Sequence, residues 1–171
     1  PGGDAFGYRA AWFRSFLFKS AGNTQSFVAI DALFQSCSSI AAGEPPELIQ
    51  DVLYTSSGSC LAKGGGGVRP VCVTGILRKL VCGTLLAKHK PEIVRQLEAV
   101  YQYGASRDGN LKVIHTVAAL LEADPTLAVL AQDISNAFNS ISRHCVIAGL
   151  RRVCPALIPF VLDIYTRTNI V

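Results

Sequence analysis

Residues 127 to 143 read LAVLAQDISNAFNSISR, in which a run of small apolar residues stops on a carboxylate and an Ala-Phe pair follows. Asp133 stands beside the backbone carbonyl of Ile134, and two hard oxygens side by side suit Mg²⁺. The same aspartate is equally suited to capping the turn after a strand, and one carboxylate is not by itself a metal site. A second group of chemical interest is the tetraglycine Gly64 to Gly67, flanked by Lys63 and Arg69, which puts two cations on a flexible turn. Other chemistries fail on spacing. An EF-hand needs an oxygen ligand where Ala137 stands and a glycine that does not follow. GGGGVRP lacks the G-K-[ST] ending of a phosphate-binding loop. His89, His115 and His144 are scattered without the serine and aspartate of a hydrolase triad, and each reads as a helix-surface residue. Cys37, Cys60, Cys72, Cys82, Cys145 and Cys154 form no C-x-x-C pair, which argues against structural zinc and for reduced thiols acting as small hydrophobes.

These residues must be positioned by the surrounding elements. GYRAAWFRSFLFKSAG sets Trp12, Phe13, Phe16 and Leu17 on one helical face and stops at Gly22. The next stretch repeats the scheme with Phe27, Ile30, Leu33, Phe34, Cys37 and Ile40, and PPELIQDVL starts a third helix with prolines in its first turn. SCLAKGGGGVRPVCV then reads as strand, turn and strand. Thr74 is placed to cap a helix with a buried stripe of Leu77, Leu80, Val81 and Leu85, and Lys88 and Lys90 suit its C-terminal dipole. Pro91 is expected to begin a further helix closed by Gly104, and the helix after that stops at Asp124-Pro125. TLAVLA reads as a fully buried strand ending near Asp133. Ser142 is expected to cap the next helix, and Pro155 to open the last.

With 171 residues, 50% hydrophobic and 16% charged, the chain has material for a globular domain or part of one, and its composition is not that of a disordered protein. No apolar run reaches the roughly 20 residues of a membrane span, since LIPFVLDIY is interrupted by Pro159 and Asp163. No signal or transit pattern stands at the start, so an intracellular location is expected. The start at Pro1, the lack of methionine and the end at TRTNIV suggest a piece of a longer reading frame. The formal charge of +4 is unevenly spread, with nine basic and three acidic residues between 63 and 112. That net +6 segment suits a polyanion such as nucleic acid or a nucleotide phosphate, although a charge run is more often a solvated face.

Three stretches, GGGGVRPVCVTGILRKL, QYGASRDGNLKVIHTV and LAQDISNAFNSISR, occur in an order and spacing that resemble reverse transcriptases of the non-LTR retrotransposon type, most of all the spliced-leader-associated elements of trypanosomes. The likeness covers residues 59 to 171. It implies an α+β right-hand polymerase fold, incomplete, with 1–58 as a helical N-terminal fingers extension, 59–126 as fingers with the glycine-rich hairpin and basic helices, and 127–171 as the start of the palm. Asp133 would be a catalytic carboxylate binding the two Mg²⁺ ions, with Ile134 lending its carbonyl. Phe138 would pack against the sugar of the incoming nucleotide and exclude a 2′-hydroxyl. Lys63 and Arg69 resemble the finger residues that fold over the triphosphate, and Gln102 and Gly104 match a motif that positions template and fingers.

The implied activity is RNA-directed DNA synthesis, with an RNA template, a DNA primer and deoxynucleoside triphosphates as partners, no membrane, and a nuclear location. The family's second carboxylate motif, Tyr-x-Asp-Asp, is not found up to Val171, so the chain alone is expected to be inactive. Two other readings compete: a degenerate or domesticated remnant that binds RNA without chemistry, and a helical interaction module in which Asp133 is only a cap.

Overall fold

The computed structural model describes residues 9, 11–12, 14, 24–62, 64–135 and 137–167, with the side chains of 24–26 and 138 left aside. The helix expected around Trp12 falls largely outside them, and so does Lys63. The chain is α+β: helices accompany one two-stranded antiparallel sheet among the described residues. It divides into two units, residues 1–85 with 159–171, and residues 86–158.

In the first unit, α1 (Thr24–Ala41) is the helix that the apolar spacing predicts, but its expected apolar face is buried only towards its end, and Phe27 and Phe34 are 64% and 69% exposed. Its last apolar position, Ile40, is 1% exposed. The helix ends in a Schellman motif. Gly43, at φ 79°, donates to the Ile40 carbonyl at 3.1 Å, and Glu44 donates to the Ser39 carbonyl at 2.9 Å. A 3-10 turn (Glu47–Ile49) follows Pro45-Pro46 and leads into α2 (Gln50–Tyr54), whose Leu53 and Tyr54 are buried.

The hairpin is as expected. β1 (Ser56–Ala62) pairs antiparallel with β2 (Val68–Thr74), in register from Ser56↔Thr74 to Ala62↔Val68. Gly65, Gly66 and Gly67 all have φ between 90° and 98°, a backbone region that side chains disfavour, so this turn requires glycines. Only the foot of the hairpin, at Ser56, is buried, and residues 58–62 and 68–73 are exposed. Two helices complete the unit: the first part of α3 (Ile76–Glu98) and α7 (Ile158–Thr166). Ile40, Leu53, Tyr54, Val81 and Phe160 form the core, with Leu77, Leu85 and Ile164 packed against it. Leu80, expected in the buried stripe, is instead 44% exposed.

Two expectations about the second unit are corrected. The long helix does not break at Pro91, which lies inside α3. Proline leaves the Ala87 carbonyl without its donor, but both residues are exposed and water can take that place. Gly104 does not close the helix either. Tyr101 takes the left-handed position at φ 60°, and Gln102 donates to the Leu97 carbonyl at 2.9 Å. Then comes α4 (Gly109–Ala123), stopped at Asp124 as expected, where the carboxylate accepts the Thr126 N–H at 3.0 Å.

The apolar run TLAVLA is the largest departure. Residues 127 to 134 have no regular structure, and Leu127, Val129 and Leu130 are 46%, 60% and 82% exposed. A strand needs a neighbour for its N–H and C=O groups, and the two strands described pair only with each other. Short α5 (Ala137–Ser140) follows, then α6 (Arg143–Val153) with Ser142 at its N-cap but no side-chain cap bond, and a 3-10 turn (Pro155–Leu157) leads into α7. Among the described residues no helix is long and apolar enough to cross a membrane.

A Cβ at Gly43 would meet the Pro159 carbonyl oxygen at 2.6 Å, besides requiring a left-handed backbone. Gly43→Ala is therefore expected to destabilise the protein by about 1–2 kcal/mol from backbone conformation alone, and by more if α7 must shift. Urea unfolding checks this, and an unchanged midpoint would contradict the close approach.

Candidate functional site

The hairpin presents Arg69 on exposed β2, opposite Leu61 and one residue past the strand's start at Val68, while Lys63 lies outside the described residues. Arg69 is thus a cation on an exposed strand beside the turn, with little packing to hold it.

In the second unit, Gln102 and Gly104 are brought together, since the Gly104 N–H donates to the Gln102 side-chain oxygen at 2.8 Å. The loop around them is well tied. The Tyr103 hydroxyl meets the Thr116 hydroxyl at 3.1 Å, Ser106 donates to Glu98 at 2.6 Å, and Lys112 pairs with the same carboxylate. Those two hydrogen bonds, from Lys112 first and Ser106 second, hold the Glu98 carboxyl below its ordinary range. What this geometry provides is a fixed loop rather than a reacting group.

Asp133 and Ile134 are exposed, Ile134 at 68%, in the irregular segment before α5. Phe138 belongs to α5. An exposed carboxylate beside a carbonyl offers oxygen donors of the type Mg²⁺ takes, and that ion commonly keeps several waters and uses one or two carboxylates. The donor chemistry fits, with one side-chain ligand. Among the described residues no three His, Cys, Asp or Glu side chains gather in one place.

The most elaborate polar cluster was not anticipated from sequence. It lies in the first unit, where Asp163 on α7 is 9% exposed. The Tyr54 hydroxyl donates to one of its carboxylate oxygens, and Arg167 Nε donates to the other at 2.9 Å. Arg167 also donates to Gln50 Oε1 at 2.8 Å and lies 5.1 Å from the centre of the Tyr54 ring, within cation–π range. Nearby, buried Arg78 donates to Ser56 Oγ at 3.1 Å at the foot of the hairpin. Desolvation lowers the Arg78 pKa, and the hydrogen bond to Asp163 raises that of Arg167. The one signal available in the sequence was Asp163 itself, a carboxylate inside an otherwise apolar stretch.

No family model, no curated protein and no solved structure matches the chain.

Burial first, and then the hydrogen bond to Asp163, raise the Tyr54 pKa well above its ordinary value. An unfolded tyrosine ionises near pH 10, so above that the unfolded state binds fewer protons than the folded one and stability falls as pH rises. The fall between about pH 9.5 and 11.5 is expected to be shallower in Tyr54→Phe, as measured by urea unfolding across that range. Identical slopes would contradict the Tyr54–Asp163 bond.

Proposed function

We propose that the chain is the fingers and first palm segment of an RNA-directed DNA polymerase of the non-LTR retrotransposon type. The observation that carries this reading is the ordered set of three motifs, ending in DISNAF with Asp133 and Phe138 five residues apart. The glycine-joined hairpin bearing Arg69 supports it, and so does the net +6 segment between residues 63 and 112.

In nucleotidyl transfer the primer hydroxyl is the nucleophile, so the protein's work is positioning and charge neutralisation rather than supplying a base. Magnesium held by Asp133 and the Ile134 carbonyl would supply charge neutralisation at the transferred phosphoryl group. Lys63 and Arg69 pair with the triphosphate when the hairpin folds over it, and the glycine turn supplies the hinge. Phe138 fills the space of a 2′-hydroxyl and so selects deoxyribonucleotides. Gln102 and Gly104 hold the loop that positions template against fingers. The basic segment runs along the template-primer backbone, where affinity comes from phosphate contacts.

The test is primer extension on an RNA template by the complete polymerase carrying this chain. Asp133→Asn is expected to lower extension by about 100-fold or more, since it weakens a direct metal ligand. Retained extension would contradict the assignment. Phe138→Ala is expected to raise incorporation of ribonucleotides relative to deoxyribonucleotides in the same assay, and an unchanged ratio would refute the sugar-excluding role.

A further inference from the structure

Residues 113 to 171 carry four arginines and four carboxylates, so their formal charge gives no sign of a polyanion site. Along the chain, however, the two signs are segregated. Asp163 is buried and bound by Tyr54 and Arg167, and Glu122, Asp124 and Asp133 all precede α6. From Ile134 to Leu162 there is no acidic residue, and the arginines of that stretch, Arg143, Arg151 and Arg152, all stand on α6, with His144 next to the first. We propose that the outer face of α6 binds the phosphodiester backbone of a nucleic acid through Arg151 and Arg152. The choice of nucleic acid rests on the polymerase reading above, which this inference deepens by placing a backbone contact outside the basic segment of residues 63–112.

Helix geometry defines the face. His144, Ala148 and the pair Arg151 and Arg152 follow one another at a spacing of one turn, so they share a side of α6, and all four are exposed. The opposite side is taken up by packing, with Ile147 and Cys154 buried and Val146, Leu150 and Val153 half-buried. Ala148 puts only a methyl group between His144 and the two arginines, so a strand backbone can come close to the helix surface. Arg143 already interacts within the fold. In the same unit Arg95, Arg107 and Lys112 each meet a carboxylate, whereas Arg151 and Arg152 enter none of the ion pairs among the described residues.

Two features select phosphate. A helix C-terminus favours cations through its dipole, which suits Arg151 and Arg152, but the same dipole disfavours Arg143 and His144 in the first turn, where no acidic residue offsets them. Positive charge at both ends exceeds what the dipole favours. The cations are also arginines, whose planar fork bonds two phosphate oxygens at once, and not lysines such as Lys79, Lys88 and Lys90 of α3. An anionic membrane is the competing polyanion, yet a helix lying on lipid needs a free apolar face for the acyl chains. The apolar face of α6 is turned into the fold, and none of its exposed residues is a large hydrophobic one.

The experiment is fluorescence anisotropy of a labelled RNA–DNA hybrid with the 171-residue chain over a range of salt concentrations, with a parallel binding assay on vesicles containing phosphatidylserine. The double variant Arg151→Gln/Arg152→Gln is expected to weaken hybrid binding by at least about tenfold at low salt. It is also expected to make the slope of log affinity against log salt shallower by about one to two, since each lost phosphate contact removes a little under one. Arg69→Gln, on the hairpin, is the comparison. Unchanged affinity and slope in the double variant, with Arg69→Gln weakening both, would overturn this inference and leave the polymerase reading standing. No hybrid binding by the unaltered chain would overturn both. Vesicle binding lost in the double variant while hybrid binding is unchanged would assign the face to lipid instead. Circular dichroism reports whether the double variant keeps its fold. If it does not, Ala148→Glu, which sets a negative charge on the same face, decides alone, and unchanged hybrid affinity there would contradict the proposal.

Discussion

A carboxylate inside an apolar helix must be matched by donors before that helix can pack, and Asp163 imposes this condition on the first unit. An unpaired buried charge would cost several kcal/mol. Tyr54 and Arg167 satisfy both carboxylate oxygens, and Gln50 holds Arg167 in turn. The rest of the core follows from this arrangement. With α7 held against α2, Phe160 reaches Ile40, Leu53 and Val81, and the chain at Pro159 comes so close to Gly43 that only glycine fits there. Tyr54 and Asp163 are 109 residues apart. A contact of that span is entropically costly to form early, so the unit is completed only once the last helix has docked.

The elements with the most suggestive chemistry are those with the least packing. The hairpin is exposed on both faces beyond its foot, and residues 127 to 134 are exposed with no regular structure. Few buried contacts imply low local stability, which binding elements that must close on a ligand commonly have. Buried Arg78 marks the division, since its bond to Ser56 anchors the foot of the hairpin to α3 while the glycine turn is left free of side chains. The proposed triphosphate contacts of Lys63 and Arg69 depend on that division. A hairpin packed along its length could not fold over anything.

What could be read from the sequence was local. The helix over Phe27 to Ile40, the tetraglycine turn, the stop at Asp124-Pro125 and the helical turn opened by Pro155 each depend on neighbouring residues, and the fold has these elements as expected, although Phe27 and Phe34 on the first of them are exposed. Where tertiary context decides, local reading failed. Pro91 is an ordinary helix-breaking signal, overridden in an exposed stretch of α3. Tyr101 takes a left-handed position for which glycine would be the usual choice. TLAVLA has every property of a strand except a partner, and partners are not visible in a run of apolar residues. The Tyr54, Asp163 and Arg167 cluster was illegible for the same reason, because nothing near Tyr54 announces a carboxylate so far along the chain. For the candidate site, sequence pattern supplied the residue types at Asp133, Phe138 and Arg69, whereas the bond from Arg78 to Ser56 needed α3 and β1 to be brought together first.

The central claim is that the basic, hairpin-bearing chain belongs to a polymerase that grips template and primer. Binding of an RNA–DNA hybrid to the chain across a range of salt concentrations tests it most directly. The account predicts an affinity whose logarithm falls linearly with the logarithm of salt, with a shallower slope after removal of a contacting cation such as Arg69. No binding at low salt, or an affinity indifferent to salt, would contradict it.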